Sequence, residues 1–263
     1  MNILNNYIRV REQYRTDDNL NRRISIHEKY SVNKLGFANW IYSHYNFPYD
    51  SEILEVGCGN GNMWKNQLPL PKSGIHLTLT DFSDGMVAAS KNNLGEHENI
   101  TYRTADISSL PYDSCRFDVV IANMMLYHVP DIDKALEEVR RVLKNEGTFY
   151  CSTYGENGIV PYVLQLVSLK TGRKIEDTSN KNFTLQNGGK ILEKYFSEVT
   201  RCDYPDALEV TYIGDLIDYL YSLSGISFAA EFDRNELTEI LSENMSDGIL
   251  RIPKEYGMFI CRK

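Results

Sequence analysis

Short apolar runs and amphipathic helical stretches alternate from Glu52 to Tyr154, and no other feature restricts the fold of this chain as tightly. "EILEVG" reads as a buried strand, "NGNMWKNQL" as a helix and "IHLTLTD" as a second strand. In "SDGMVAASKNNL", Ser83 is placed to cap a helix whose Met86, Val87, Ser90 and Leu94 share one side. "NITYRTAD" and "FDVVIAN" are a third and a fourth strand. Asp131 caps "DIDKALEEVRRVLK", whose Ile132, Ala135, Leu136, Val139, Val142 and Leu143 form an apolar stripe. Gly147 allows a left-handed stop before the strand "TFYCSTY". Strands alternating with helices in this way imply right-handed βαβ units, an α/β fold with a parallel sheet covered on both faces.

The flanks are less regular. From Asp18 two helices are expected, the second carrying Ala38, Ile41, Tyr42 and Tyr45 at helical spacing and ending before Pro48. After Tyr154 come a helix over Ile159 to Leu169, a polar Gly/Asn loop, and a helix–strand unit in "ILEKYF" and "EVTRCDY". Residues 213–246 read as two amphipathic helices and "YGMFICR" as a terminal strand. We therefore expect an N-terminal helical lid segment over 1–50 and one α/β domain over 51–263, with cap insertions at about 155–190 and 207–250.

Three glycines, Gly57, Gly59 and Gly61, stand at the end of the first strand, where an open parallel sheet binds ligands. Without side chains they let backbone approach a ligand closely. A dinucleotide site calls for G-x-G-x-x-G, but Asn62 occupies the third glycine's place and an acid, Glu55, precedes the turn. That change suits a sulfonium cation with an amino-acid tail, which brings no pyrophosphate. Other strand ends agree. Asp81 can grip both hydroxyls of a ribose, with Phe82 and Met86 beside it to flank a purine. Asp106 can accept from an exocyclic amine, Ile107 can close the ring face, and Asn123 ends the fourth strand.

These segments, "ILEVGCGNG", "LTDFSDGM", "TADISSLPYDSCRFDVVIAN", "MLYHV" and "ALEEVRRVLKNEG", together resemble a class I S-adenosylmethionine-dependent methyltransferase. The type includes ubiquinone-biosynthesis and natural-product enzymes. The resemblance implies a Rossmann-like seven-stranded sheet, mostly parallel, in the order 3-2-1-4-5-7-6 with strand seven antiparallel. It implies S-adenosyl-L-methionine as cofactor and S-adenosyl-L-homocysteine as product. Gly57, Gly59 and Gly61 would line the methionine part, Cys58 lying among them as an inert thiol, with Glu55 near its ammonium. Asp81 would take the ribose, Asp106 with Ile107 the adenine, and Asn123 the sulfonium region. By the same analogy Tyr14 and Tyr30 belong to a segment that folds over the cofactor, Tyr30 touching its carboxylate. One departure is "KNEG", which keeps only Gly147 of the family's usual Pro-Gly-Gly.

Methyl transfer from a sulfonium needs alignment and exclusion of water, and a base only if the acceptor carries a proton. His128 is the leading base candidate or else a wall residue, and Tyr127 is packing or chemistry. His27 reads as solvated or capping, and Met63 and Trp64 as core. Tyr212, Tyr219 and Phe228 line an acceptor pocket or belong to the core. No His/Cys/Asp cluster has metal-ligand spacing, so no metal is expected.

The expected function is methyl transfer to a small-molecule acceptor. Alternatives are a methyltransferase of RNA, DNA or protein, a nicotinamide-dependent dehydrogenase, and a non-catalytic S-adenosylmethionine-binding protein. "NMML" stands where relatives that methylate base or glutamine amino groups carry Asn-Pro-Pro-Tyr, and the net charge of −8 argues against nucleic-acid and anionic-membrane partners. Five scattered cysteines without CxxC spacing fit a reduced cytosol. The start has no apolar signal core, and no stretch approaches the roughly 18 apolar residues of a membrane span, so a cytoplasmic location is expected. The acceptor atom and the oligomeric state stay open.

Overall fold

The computed structural model describes residues 18–70, 74–173, 175–223 and 231–263, so Tyr14 and Phe228 lie outside the described residues. Helices α1 (Asp18–Tyr30) and α2 (Phe37–Ser43) precede strand β1 (Glu52–Val56). Then follow β2 (His76–Asp81), α3 (Asp84–Leu94), β3 (Ile100–Thr104), β4 (Phe117–Asn123), α4 (Ile132–Val142) and β5 (Leu143–Tyr154). The last part holds α5 (Ile159–Thr171), α6 (Gly188–Leu192), β6 (Glu198–Val210), α7 (Ile213–Ser222), α8 (Arg234–Glu243) and β7 (Leu250–Arg262).

The seven strands form one sheet in the order β3-β2-β1-β4-β5-β7-β6, parallel from β1 to β5, with β7 antiparallel to both neighbours. Strand alternation divides the core. Leu54 and Val56 face the stripe of α4, where Ala135, Leu136, Val139 and Val142 are buried. Ile53 points to the opposite face and packs with Trp40, Ile41, Phe47 and Trp64. Both expected caps form, as Ser83 accepts from the Met86 N–H and Asp131 from the Lys134 N–H. This framework sets the carboxyl ends of β1, β2 and β4 side by side, which is where the site lies.

The outer strands run longer than the sequence patterning suggests. β6 and β7 stay paired out to Val210↔Leu250, beyond the row where β5 ends opposite Tyr256. That two-stranded extension carries a further core, in which Leu208, Val210, Leu250 and Ile252 pack with side chains of α1, α5, α7 and α8. The N-terminal segment joins its edge: the Val32 N–H donates to the Ala207 carbonyl at 2.9 Å, and Ser31 bridges Leu208. Among the described residues no helix is long and apolar enough to cross a membrane.

Three expectations need correction. "NGNMWKNQL" is not a helix but a run of turns, with the N–H groups of Gly61, Trp64 and Gln67 bonded to the carbonyls of Cys58, Gly61 and Trp64. Gly61 sits at φ 78°, and the few residues between it and Pro69 cannot repay helix nucleation. Gly147 is not a left-handed stop, because α4 ends where Leu143 turns extended (φ −74°, ψ 136°) and the chain enters β5 at once. A side chain at Gly147 would instead strike Leu143 Cγ at 2.6 Å, at the bulge where pairing jumps from Phe117↔Leu143 to Val119↔Thr148. "ILEKYF" contributes only its first two residues to a helix, since α6 begins at Gly188 and ends at Leu192.

Candidate active site

The glycine turn after β1 is shaped by close packing. Gly57 has φ 71°, and a Cβ there would lie 2.8 Å from Met125 Cγ. Gly59 has φ 56°, and its N–H donates to Asp81 Oδ2 at 3.0 Å. A Cβ at Gly61 would lie 2.6 Å from Ser90 Oγ and 2.9 Å from Leu94 Cδ1, so this glycine lets α3 approach the turn. Gly57, Cys58 and Gly59 line a cavity of about 980 Å³; Gly61 does not, and its expected ligand contact is corrected to a helix contact. The N–H groups of Cys58, Gly59 and Gly61 are all bonded within the protein, and no helix starts after them. The turn therefore lacks both devices that hold phosphates. Burial pushes the Cys58 thiol well above its ordinary range, so it is an inert filler.

Glu55 is 1% exposed and forms part of the cavity wall. Its Oε2 accepts from the Trp64 indole N–H at 2.6 Å and its Oε1 from Asn123 Nδ2 at 3.2 Å. Burial pushes the Glu55 carboxyl up to about 7, against the pull of those two donors. Asn123 also donates to the Tyr45 hydroxyl at 2.7 Å and accepts from Ser152 Oγ at 3.1 Å. The next residue, Met124, is held at φ 51° with its N–H on the Ser152 carbonyl at 3.0 Å. A non-glycine residue at positive φ on a cavity wall stores strain where a site is built.

Asp81 closes the neighbouring strand. Its Oδ1 accepts from the Ser83 N–H at 2.9 Å while Oδ2 holds Gly59, so one carboxylate fixes both the turn and the start of α3. Burial raises the Asp81 carboxyl and these N–H groups oppose that rise. Phe82, Met86, Asp106 and Ile107 complete this end of the cavity, with Asp106 Oδ1 accepting from the Ser108 N–H at 2.8 Å.

The opposite end is aromatic. Tyr127 and His128 follow β4 in a single helical turn, their rings 4.5 Å apart, and Tyr127 lies 4.6 Å from Tyr154. Tyr219 and Tyr256 line the same end, together with His27 and Lys254. His27 is not solvated: its Nε2 shares a 3.2 Å hydrogen bond with the Tyr256 hydroxyl, and its ring meets Tyr219 and Tyr256 edge-on. Burial, helped by Lys254, pulls its pKa down to about 3. Tyr30 is not in the wall, because its hydroxyl donates to Asp215 at 2.5 Å and its ring joins the core of the β6–β7 extension. Tyr212 is 64% exposed at the start of α7. Met63 lines the cavity, whereas Trp64 is fully buried.

Sequence reading missed Tyr45, Met124, Met125, Lys254 and Tyr256. Lys254 and Tyr256 come from a strand far along the chain. Met124 and Met125 stood beside Asn123 in plain view, but nothing in their type signals a strained wall residue.

Residues 54–151 match the family model of a methyltransferase domain. The ubiquinone biosynthesis O-methyltransferase of Coxiella burnetii is 32% identical over 106 residues, which is 40% of this chain and 44% of that protein. Over residues 54–151 the chain is thus similar to a methyltransferase domain. A structure from Bacillus halodurans described as a methyltransferase shares the fold (TM-score 0.58, 13% identity, 86% of this chain and 98% of that one). So does a [4+2]-cyclase, SpnF (TM-score 0.60, 15% identity, 98% and 96%). The curated match thus spans less than half of the relative's length, and the solved structures speak for the fold alone.

The site fits S-adenosylmethionine on chemical grounds. Three carboxylates, those of Glu55, Asp81 and Asp106, gather at the glycine end of the cavity. With the turn's N–H groups already engaged, that end suits a cationic ligand without phosphates. Among the described residues no group of three His, Cys, Asp or Glu side chains is placed to hold a metal.

Proposed function

We propose that this protein transfers a methyl group from S-adenosylmethionine to a small-molecule acceptor. The observation that carries the reading is one cavity with two unlike ends, roofed by α1 and α2. The carboxylate end would hold the cofactor, Glu55 facing its ammonium, Asp81 its ribose, and Asp106, Ile107, Phe82 and Met86 its adenine. When bound, the cofactor supplies a methyl group on an activated sulfonium leaving group. A cavity of about 980 Å³ is at the upper end of small-ligand sites and leaves room for a second molecule beside the cofactor.

The aromatic end then belongs to the acceptor. Tyr127, Tyr154, Tyr219 and Tyr256 give it flat apolar walls with hydroxyl tips, which orient a ring-sized molecule and exclude water. His128, its ring 4.5 Å from that of Tyr127, takes the acceptor's proton where there is one, with Tyr127 shaping the wall beside it. The helical roof favours an enclosed small acceptor over a macromolecule. Its relatives' quinone chemistry is compatible with this end.

The test has two stages. Calorimetry on cofactor-stripped protein should show binding of S-adenosylhomocysteine; no binding sinks the reading. Incubation with methyl-labelled cofactor and a small-molecule extract should then give a product one methylene heavier. Cofactor binding with no labelled product from any extract would leave a binding protein, not an enzyme.

A further inference from the structure

One ammonium is built into the aromatic end. The Lys254 side chain is 1% exposed yet contributes to the cavity wall. Its Nζ donates to Asp206 Oδ2 at 2.7 Å and to Ser31 Oγ at 3.0 Å. It also lies 4.9 Å from the Tyr256 ring and 5.2 Å from the Tyr204 ring. The sheet dictates this cluster. Asp206 opposes Lys254 and Tyr204 opposes Tyr256 on β6 and β7, so all four side chains leave the same face. Tyr154 opposes Tyr256 from β5 and extends the row.

The pair is oriented. Asp206 is turned away from the cavity: its Oδ1 accepts from the N–H groups of Asn33 and Ala207 at 3.0 and 2.9 Å, and Oδ2 also accepts from the Ser31 hydroxyl. Lys254 stands on the cavity side, so the buried pair is a dipole with its positive end toward the acceptor. Two acids share this wall, but Lys254 is the more deeply buried charge and the less screened by water. Glu255 has its two oxygens bonded to the Asn157 N–H and the Gln186 amide, each at 2.7 Å, and Glu28 is exposed. The other end of the cavity carries Glu55, Asp81 and Asp106.

We propose that Lys254 sets the charge class of the acceptor: this end takes a planar molecule bearing a carboxylate or an acidic hydroxyl and turns away an ammonium. Tyr256 is the contact through which the charge acts, since its ring lies 4.9 Å from the ammonium and its hydroxyl is bonded to His27. A cationic acceptor would meet tyrosine faces already polarised by Lys254 and lose the attraction such rings otherwise offer. The inference rests on the methyltransferase reading, which makes this end the acceptor's.

Two probes of one shape and opposite charge test it: 4-hydroxybenzoate and 4-hydroxybenzylamine, titrated calorimetrically into the full chain saturated with S-adenosylhomocysteine. A unit charge acting through protein at several ångströms predicts that the carboxylate probe binds at least about tenfold more tightly. Removing both charges in Lys254→Met/Asp206→Leu, which leaves no unpaired buried ion, should bring the ratio to within about threefold of unity. Equal or tighter binding of the amine by the wild-type protein overturns the proposal, as does failure of both probes to bind, or an unchanged ratio in a folded double variant. Each of these results is obtained with homocysteine-form cofactor bound, so the methyltransferase reading stands or falls separately on that earlier titration.

Discussion

The indole N–H of Trp64 meets Glu55 Oε2 at 2.6 Å inside the protein, and Asn123 holds the other oxygen at 3.2 Å. A carboxylate so fixed cannot swing toward a ligand. It presents a charge whose presence depends on pH, because burial has raised its pKa to about 7.

Cofactor affinity should therefore rise with pH. Below about 7 Glu55 is protonated and offers no charge to a cationic amine; above it the charge is present. Between pH 6 and pH 8 the association constant for S-adenosylhomocysteine should increase about five- to tenfold, and Glu55→Gln should flatten that profile. Stability of the ligand-free protein should move the other way. The folded state holds the proton more tightly than the unfolded chain, so stability is lost as pH rises from about 4.5 to about 7, by roughly 3 kcal/mol at most. Calorimetric titrations and Tm values across that range, on both proteins, check the two signs.

Asp81→Ala removes the acceptor of the Gly59 and Ser83 N–H bonds together with the proposed ribose ligand. Two buried N–H groups lose their partner, so the turn loosens and homocysteine-form cofactor binding should fall by at least about 100-fold. Asp81→Asn keeps one acceptor oxygen and should lose about tenfold. Equal losses in calorimetry would show that the charge, not the turn geometry, carries the role.

Gly57 and Gly61 should part company on mutation to alanine, although they look alike in the sequence. Gly61→Ala meets Ser90 and Leu94 and adopts an unfavourable φ, so it should cost about 2 kcal/mol of stability while cofactor affinity stays within about threefold. Gly57→Ala pushes Met125 toward the cavity and should weaken cofactor binding by more than about tenfold. Urea unfolding and calorimetry on both variants separate the two effects.

The central sheet was legible because its strands are buried on both faces and its helices carry plain apolar stripes; "FDVVIAN" coincides with β4 to the residue. The carboxylates at its strand ends were legible for the same reason, since topology alone places them together. What stayed hidden depends on contacts across long separations. Tyr30 and His27 sit three residues apart on α1, yet one is held by Asp215 of α7 and the other by Tyr256 of β7, and nothing local distinguishes them. Gly61 was misread because spacing shows where glycines fall and not which neighbour presses on them.

Tyr30→Phe should leave cofactor affinity unchanged within about twofold, since its hydroxyl serves Asp215 outside the cavity, and lower stability by about 1 kcal/mol. A large affinity loss in calorimetry, with Tm nearly unchanged, would return Tyr30 to the cofactor.

The Lys254–Asp206 pair gives a prediction with a built-in control. Both side chains are buried, at 1% and 0% exposure, so truncating one partner strands the other. Lys254→Met leaves Asp206 with three donors, the Asn33 and Ala207 N–H groups and the Ser31 hydroxyl, but no countercharge. It should cost about 3–5 kcal/mol. Adding Asp206→Leu removes the stranded charge, though it also releases those three donors, so recovery should be partial, about half of the loss. The pair also fastens the N-terminal segment, because Ser31 and Asn33 are held by Asp206. Hydrogen exchange should therefore show the Val32 amide, bonded to Ala207, losing protection in the single variant before the β1 and β4 amides do. Uniform loss of protection across the sheet would mean that the pair supports the whole fold and not the roof of the cavity.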